Sequence, residues 1–239
     1  MTRETSIKAI LFDKDGTLID YYKTWLPLNL KAALSFADGN EALAHRLLEK
    51  SGWVRSENSV LPGSVLAAGT SDEITDCWLE LIPHHPRSRT KLIAETNRLF
   101  LDDIHLHATP VTNLHDLFKR LKERGLKLGV ATSDSQAGAE ASLTTFNVLG
   151  MLDFVCGYDT GHGTKPGPGM VHGFCSAVGI AEVDVAVVGD NLHDLHMARA
   201  AGAFAIGVLT GTSTREDLAP DADHILNNID ELETILTSN

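Results

Sequence analysis

The chain has 239 residues, 43% of them hydrophobic and 22% charged, with a formal net charge of −12. This is enough chain for a substantial core, or for one core with a smaller companion, and the composition is that of an ordinary globular protein. The acidic balance argues against general affinity for nucleic acid or an anionic membrane surface, so an anion bound here must meet local positive charge.

In chain order, Met1-Thr2-Arg3-Glu4 leads straight into a strand-like run, without the long apolar segment of a signal peptide. Ile7 to Phe12 is continuous and apolar, as expected of a strand buried in a parallel sheet. It stops abruptly in Asp13-Lys14-Asp15-Gly16-Thr17. From Leu18 to Pro110 the pattern is helical, with helices expected over Trp25 to Ala37, Glu41 to Lys50, Asp72 to Leu81 and Thr90 to Ile104. Asp72 and Thr90 are the expected caps, and Pro62-Gly63 and Pro83 to Pro86 the breaks. Helices without partner strands imply an inserted all-helical subdomain of roughly 90 residues.

At Val111 a βα rhythm begins. Helices are expected over Asn113 to Glu123, Ala137 to Asn147, Met170 to Val178, His193 to Ala201 and Asn228 to Leu236. Strands are expected over Lys127 to Thr132, Phe154 to Tyr158, Val183 to Val188 and Ala203 to Val208. Such alternation predicts an α/β fold, a doubly wound parallel sheet covered on both faces. The expected division is therefore a Rossmann-like core from residues 1–17 and 111–239, with residues 18–110 inserted.

The remaining signals are weaker. Cys77, Cys156 and Cys175 lie too far apart for a metal or redox pair and read as free thiols of a reducing compartment. The eleven histidines show no metal-ligand spacing, and the uncharged run Ala200 to Thr214 is too short to span a bilayer. A cytoplasmic protein is expected.

Three apolar strands end in polar clusters: Asp13-Lys14-Asp15-Gly16-Thr17, Thr132-Ser133-Asp134 and Gly189-Asp190-Asn191-Leu192-His193-Asp194. Alone, each could be a turn or a helix start. Parallel strands put their carboxyl ends on one sheet edge, however, so the clusters should converge, along with Lys165 from the loop Gly161 to Gly167. Two carboxylates about 4 Å apart repel by roughly 4 kcal/mol at an effective dielectric of about 20. Asp13, Asp15, Asp190 and Asp194 together therefore call for a cation, and hard oxygen ligands favour Mg²⁺. Lys165 and Mg²⁺ would supply the local positive charge, and a phosphate is their natural substrate. A carboxylate can attack phosphorus, and a second one can protonate the leaving oxygen.

These residues resemble the motifs of the haloacid dehalogenase superfamily, in its phosphatase branch. Asp13-Lys14-Asp15-Gly16-Thr17 matches its first motif, Thr132 its second, Lys165 its third and Gly189-Asp190-x-x-x-Asp194 its fourth, in the right order. The resemblance implies a nucleophile and metal ligand in Asp13. It implies a general acid/base in Asp15, whose backbone carbonyl also reaches the metal, and a third metal ligand in Asp190. Thr132, Ser133, Lys165 and Gly16 would hold phosphate, with Asp194 and Thr17 in support. The insertion falls where the family places its C1 cap, as in the phosphoglycolate phosphatase-like group. Lys14 stands where an apolar residue is usual, at a position expected to lie outside the chemistry, and Tyr21-Tyr22-Lys23 departs from the group's pattern beside the substrate.

The expected function is Mg²⁺-dependent hydrolysis of a small phosphorylated metabolite by a monomer or homodimer, through an aspartyl-phosphate. A sugar phosphomutase of the same superfamily is the alternative; it needs a residue of the insertion that restrains Asp15, and the sequence identifies none. A phospho-acceptor signalling module is a further alternative, which the large insertion speaks against.

Overall fold

The computed structural model describes residues 7–236. The expectation for Met1 to Glu4 therefore lies outside the described residues. Strand β1 (Ala9–Phe12) is buried at every position, because it runs through the middle of the sheet with helices on both faces.

The chain then leaves the sheet for the insertion: α1 (Tyr21–Phe36), α2 (Glu41–Ser51), β2 (Trp53–Val54), β3 (Ser59–Val60), α3 (Val65–Ala68), α4 (Ser71–Leu79) and α5 (Arg89–His107). It is not all-helical. Gly52 ends α2 at φ 121°, and the chain turns into the antiparallel hairpin of β2 and β3, pairing Trp53 with Val60. The caps also differ from expectation. Thr70 and Ser88, rather than Asp72 and Thr90, offer the hydroxyls that accept the backbone N–H of Glu73 and Lys91. Leu28, Leu47, Trp78, Leu92 and Phe100 form the insertion's own apolar cluster.

Leu18 and Ile19 belong instead to the cluster under the sheet, so the insertion's helices start later than residue 18. Its two connections are stitched together. The amide of Asp20 donates to Thr109 O at 2.8 Å and that of Val111 to Leu18 O at 3.0 Å.

After the insertion come α6 (Leu114–Glu123), β4 (Lys127–Ala131), α7 (Gln136–Thr145), β5 (Phe154–Cys156), α8 (Gly169–Val178), β6 (Val185–Gly189), α9 (Leu192–Ala201), β7 (Phe204–Val208) and β8 (His224–Leu226). Six strands form one parallel sheet in the order β5-β4-β1-β6-β7-β8. β8 has three residues at the sheet edge, too short to show a periodic signal. The helix expected over Asn228 to Leu236 is a 3₁₀ turn followed by one α-turn, Leu232–Ile235, with Ile229 and Leu232 buried against the sheet. Cys156 and Cys175 are buried free thiols and Cys77 is half-buried. Among the described residues, no helix is long and apolar enough to cross a membrane.

Sheet register aligns the three clusters. Phe12 pairs with Val130 on one side and Val188 on the other. The residues just beyond, Asp13, Thr132 and Asp190, leave the same edge side by side. Asp13 sits centrally, where the strand order reverses direction from β1 and ligands gather in doubly wound sheets.

Candidate active site

Asp13, Asp15, Thr132, Ser133, Lys165, Asp190 and Asp194 line one cavity between the sheet edge and the insertion. Its floor is charged and nearly sealed. The Lys165 ammonium, 4% exposed, pairs with Asp13 and lies 2.6 Å from Asp194. Burial alone would lower its pKa, but the charges of Asp13 and Asp194 overcome this and hold it above the ordinary lysine range. Asp13 behaves oppositely. Burial raises its pKa to about 7 despite Lys165, and Asp194 and Asp15 add repulsion. Asp190 is also pushed well up, by burial first and by the charges of Asp13 and Asp194 second.

Oxygens of Asp13, Asp190 and Asp194 lie within 4.8 Å of one another. Three buried carboxylates share one ammonium, so the donor set is hard, anionic and short of positive charge. It fits a divalent cation of the Mg²⁺ type. The carboxylate of Asp15 is not in this group.

Asp190 is held in place from two directions. The Thr212 amide donates to its Oδ2 at 2.9 Å. Gly16, at φ +89°, leaves room for it: a Cβ there would come within 2.6 Å of the Asp190 carboxylate. Gly16, expected to hold phosphate, is not among the residues lining the cavity. Its amide donates to Ile19 O at 2.7 Å, so the residue's contribution is the missing side chain. Thr17 is fully buried, with no partner for its hydroxyl among the described residues, and does not line the cavity.

Asp15 points to a second cluster. Lys14, fully buried, reaches Asp15 at 2.8 Å and Asp134 at 3.2 Å, and its ammonium sits 4.9 Å from the centre of the Trp25 ring. Burial opposes its charge, but the two carboxylates raise its pKa above the usual value. Trp25 Nε1 donates to the same Asp15 carboxylate, and Thr132 Oγ1 lies 3.5 Å away. Lys14, expected to lie outside the chemistry, thus contacts Asp15 directly. A charge can be buried at that position because Asp134, from the end of β4, completes its neutralisation.

Trp25 and Asn29 were not singled out from the sequence; Tyr21 was noted only as a departure beside the substrate, and Asn191 only within its polar cluster. Trp25 is the insertion residue that contacts Asp15. Tyr21, Trp25 and Asn29 recur every fourth residue along α1, so one helix stripe faces the cavity. That spacing was the available signal. Asn191 caps α9 through its carbonyl oxygen and leaves its buried Nδ2 without a partner at the cavity wall.

Comparison with known proteins agrees with this geometry. The family of haloacid dehalogenase-like hydrolases matches residues 7–202. Validoxylamine A 7'-phosphate phosphatase of Streptomyces hygroscopicus subsp. limoneus is 30% identical over 225 residues, covering 94% of this chain and 95% of that one. Phosphoglycolate phosphatase of Photorhabdus laumondii subsp. laumondii is 27% identical over 238 residues, 95% and 91% of the two chains. The solved structure of CbbY from Rhodobacter sphaeroides, in complex with phosphate, superposes with a TM-score of 0.68 at 22% identity over 95% of this chain and 96% of that one. The chain belongs to the haloacid dehalogenase-like hydrolases.

Proposed function

We propose that this hydrolase removes phosphate from a small organic phosphomonoester through a phosphoryl group carried on Asp13. The observation that supports this most is the separation of the two aspartates into different partnerships. Asp13 sits against Lys165 beside the Asp190–Asp194 pair, while Asp15 is held by Lys14 and Trp25. One carboxylate is arranged to attack and the other to carry a proton.

In the first step an oxygen of Asp13 bonds to phosphorus as the ester oxygen leaves, and Asp15 gives that oxygen its proton. In the second, water attacks the phosphoryl group, Asp15 takes the water's proton and Asp13 is released with inorganic phosphate. Lys165, Thr132, Ser133 and the unpartnered Nδ2 of Asn191 are the donors available to the phosphoryl oxygens. Asp13 and Asp190, with Asp194 beside them and the backbone carbonyl of Asp15, would hold Mg²⁺, which when bound neutralises the carboxylates and the phosphoryl charge. Residues 18–110 would act as the cap, excluding water during the first step.

The test is phosphate release from a panel of phosphomonoesters with and without Mg²⁺. Turnover that needs the metal and disappears in Asp13→Asn is expected; full turnover in that variant overturns the proposal.

The contact from Trp25 to Asp15 favours a second reading, a sugar phosphomutase, since it is a cap residue holding the acid/base. Isomerisation of a hexose phosphate faster than its hydrolysis, in the presence of a sugar bisphosphate, would select it.

A further inference from the structure

We infer that the group this enzyme releases is an uncharged, hydroxyl-bearing organic alcohol, and that carboxylated esters such as phosphoglycolate are poor substrates. This rests on the phosphatase reading and concerns the wall that faces the ester's organic part.

That wall is contributed by the insertion: Tyr21, Trp25 and Asn29 from α1, Leu66 from α3, Ile74 from α4 and Phe100 from α5. It is aromatic and aliphatic, with Trp25 and Phe100 meeting edge to face at 5.0 Å between ring centres. Its aromatic polar atoms are already committed. The Tyr21 hydroxyl donates to Leu66 O at 2.6 Å, and Trp25 Nε1 donates to Asp15.

Asn29 is different. It is 2% exposed, and its side-chain carbonyl oxygen has no partner among the described residues. A buried carbonyl oxygen without a partner is costly unless something supplies one. At the cavity surface the supplier can be a ligand, and an amide offers both an acceptor and donors. Ser71, also at the cavity surface, adds a hydroxyl. A neutral polyol or hydroxylated ring satisfies both and lays its carbon face on the aromatic wall.

A carboxylate meets the opposite situation. Among the described residues, the insertion's share of the lining holds no lysine, arginine or histidine. Lys165 is already paired with Asp13 and Asp194, and Lys14 lies behind Asp15 and does not line the cavity. Beyond these the lining has only His193, at the start of α9 on the core side. A carboxylate on the leaving group would be desolvated against rings and an unpaired amide oxygen, beside five aspartates.

The experiment compares kcat/KM for three matched esters: benzyl phosphate, 4-(hydroxymethyl)benzyl phosphate and 4-carboxybenzyl phosphate. The same comparison is made between 2-hydroxyethyl phosphate and 2-phosphoglycolate. We expect the hydroxylated member of each set to exceed the carboxylated one by about 100-fold or more. Asn29→Ala should narrow the lead of the hydroxymethyl ester over benzyl phosphate by about tenfold, the worth of one buried hydrogen bond. Asn29→Lys, which adds a cation to the wall, should shift the preference towards the carboxylated esters. Wild-type turnover of carboxylated esters equal to or faster than their neutral counterparts overturns this inference and leaves the phosphatase reading standing. Failure to release phosphate from any ester, benzyl phosphate included, overturns both. The wild-type ratio alone is decisive if either variant fails to fold.

Discussion

Two lysines at the same strand end each lie between two aspartates, and they are put to different uses. Lys165 joins Asp13 to Asp194, with Asp190 close by, and three carboxylates share its single charge. Lys14 joins Asp15 to Asp134 and is covered by the Trp25 ring, so two carboxylates share one ammonium under an aromatic lid from the insertion. Both ammonium groups are at least nineteen-twentieths buried, with exposures of 4% and 0%. What differs is the residual charge and what closes the cluster. The first is left needing a cation, whereas the second is closed by protein and can hold one carboxylate in a fixed orientation. Equal burial of equal residue types therefore leaves one cluster short of positive charge and the other closed by the protein itself.

The comparison breaks most visibly at Asp13. Asp13→Asn removes the attacking oxygen's charge while keeping its shape, and phosphate release is expected to fall by about 10⁴-fold or more. Rapid-quench detection of a covalent phosphoprotein in the wild type, absent from this variant, checks the same point.

The Lys165 cluster should also register in stability. In metal-free protein Asp13 holds its proton up to about pH 7, against an ordinary value of 3.8. Between these limits the native state retains a proton that the unfolded chain has released, so the contribution of this group to stability falls as pH rises through the window and is lost above it. The loss from this group alone is on the order of 4 kcal/mol. Urea unfolding from pH 4.5 to 7.5 should show the decline, Mg²⁺ should flatten it, and Asp13→Asn should reduce it.

The Lys14 cluster should show a different signature. Lys14→Met is expected to lower kcat/KM by about 10 to 100-fold for alkyl phosphates, whose leaving oxygen needs a proton from Asp15. It should matter much less for 4-nitrophenyl phosphate, whose leaving group departs without one. Lys14→Arg should recover part of the loss. A uniform loss across leaving groups would show that Lys14 does no more than support the fold. The smallest effect belongs to Trp25→Phe, which keeps the ring over Lys14 but removes the hydrogen bond to Asp15. About a fivefold loss on alkyl esters is expected, read from the same series of substrates.

The three clusters were legible because parallel topology obliges strand ends to share an edge, and Asp13, Thr132 and Asp190 do meet in one cavity, with Lys165 from its loop. The function of Lys14 was not legible. A lysine between two aspartates at a strand end reads as part of a polar turn until Asp134, more than a hundred residues away, is seen beside it. The reason for a glycine at position 16 was hidden in the same way. Its amide is spent within the turn, and only the nearness of the Asp190 carboxylate explains why a side chain is excluded there.

Local chemistry in the sequence thus determined the alternation of strands and helices, the sheet edge where the polar clusters gather and the residue types able to attack and protonate. Those features depend on periodicity and on the fixed geometry of parallel strands. The tertiary structure decided which carboxylate pairs with which lysine, that Trp25 reaches across from the insertion to Asp15, and that the buried Asn29 carbonyl oxygen lines the same cavity as Asp13 with no partner among the described residues. These relations arise from packing between segments distant in sequence, where burial and pairing set the charge of each group, and no local pattern encodes them.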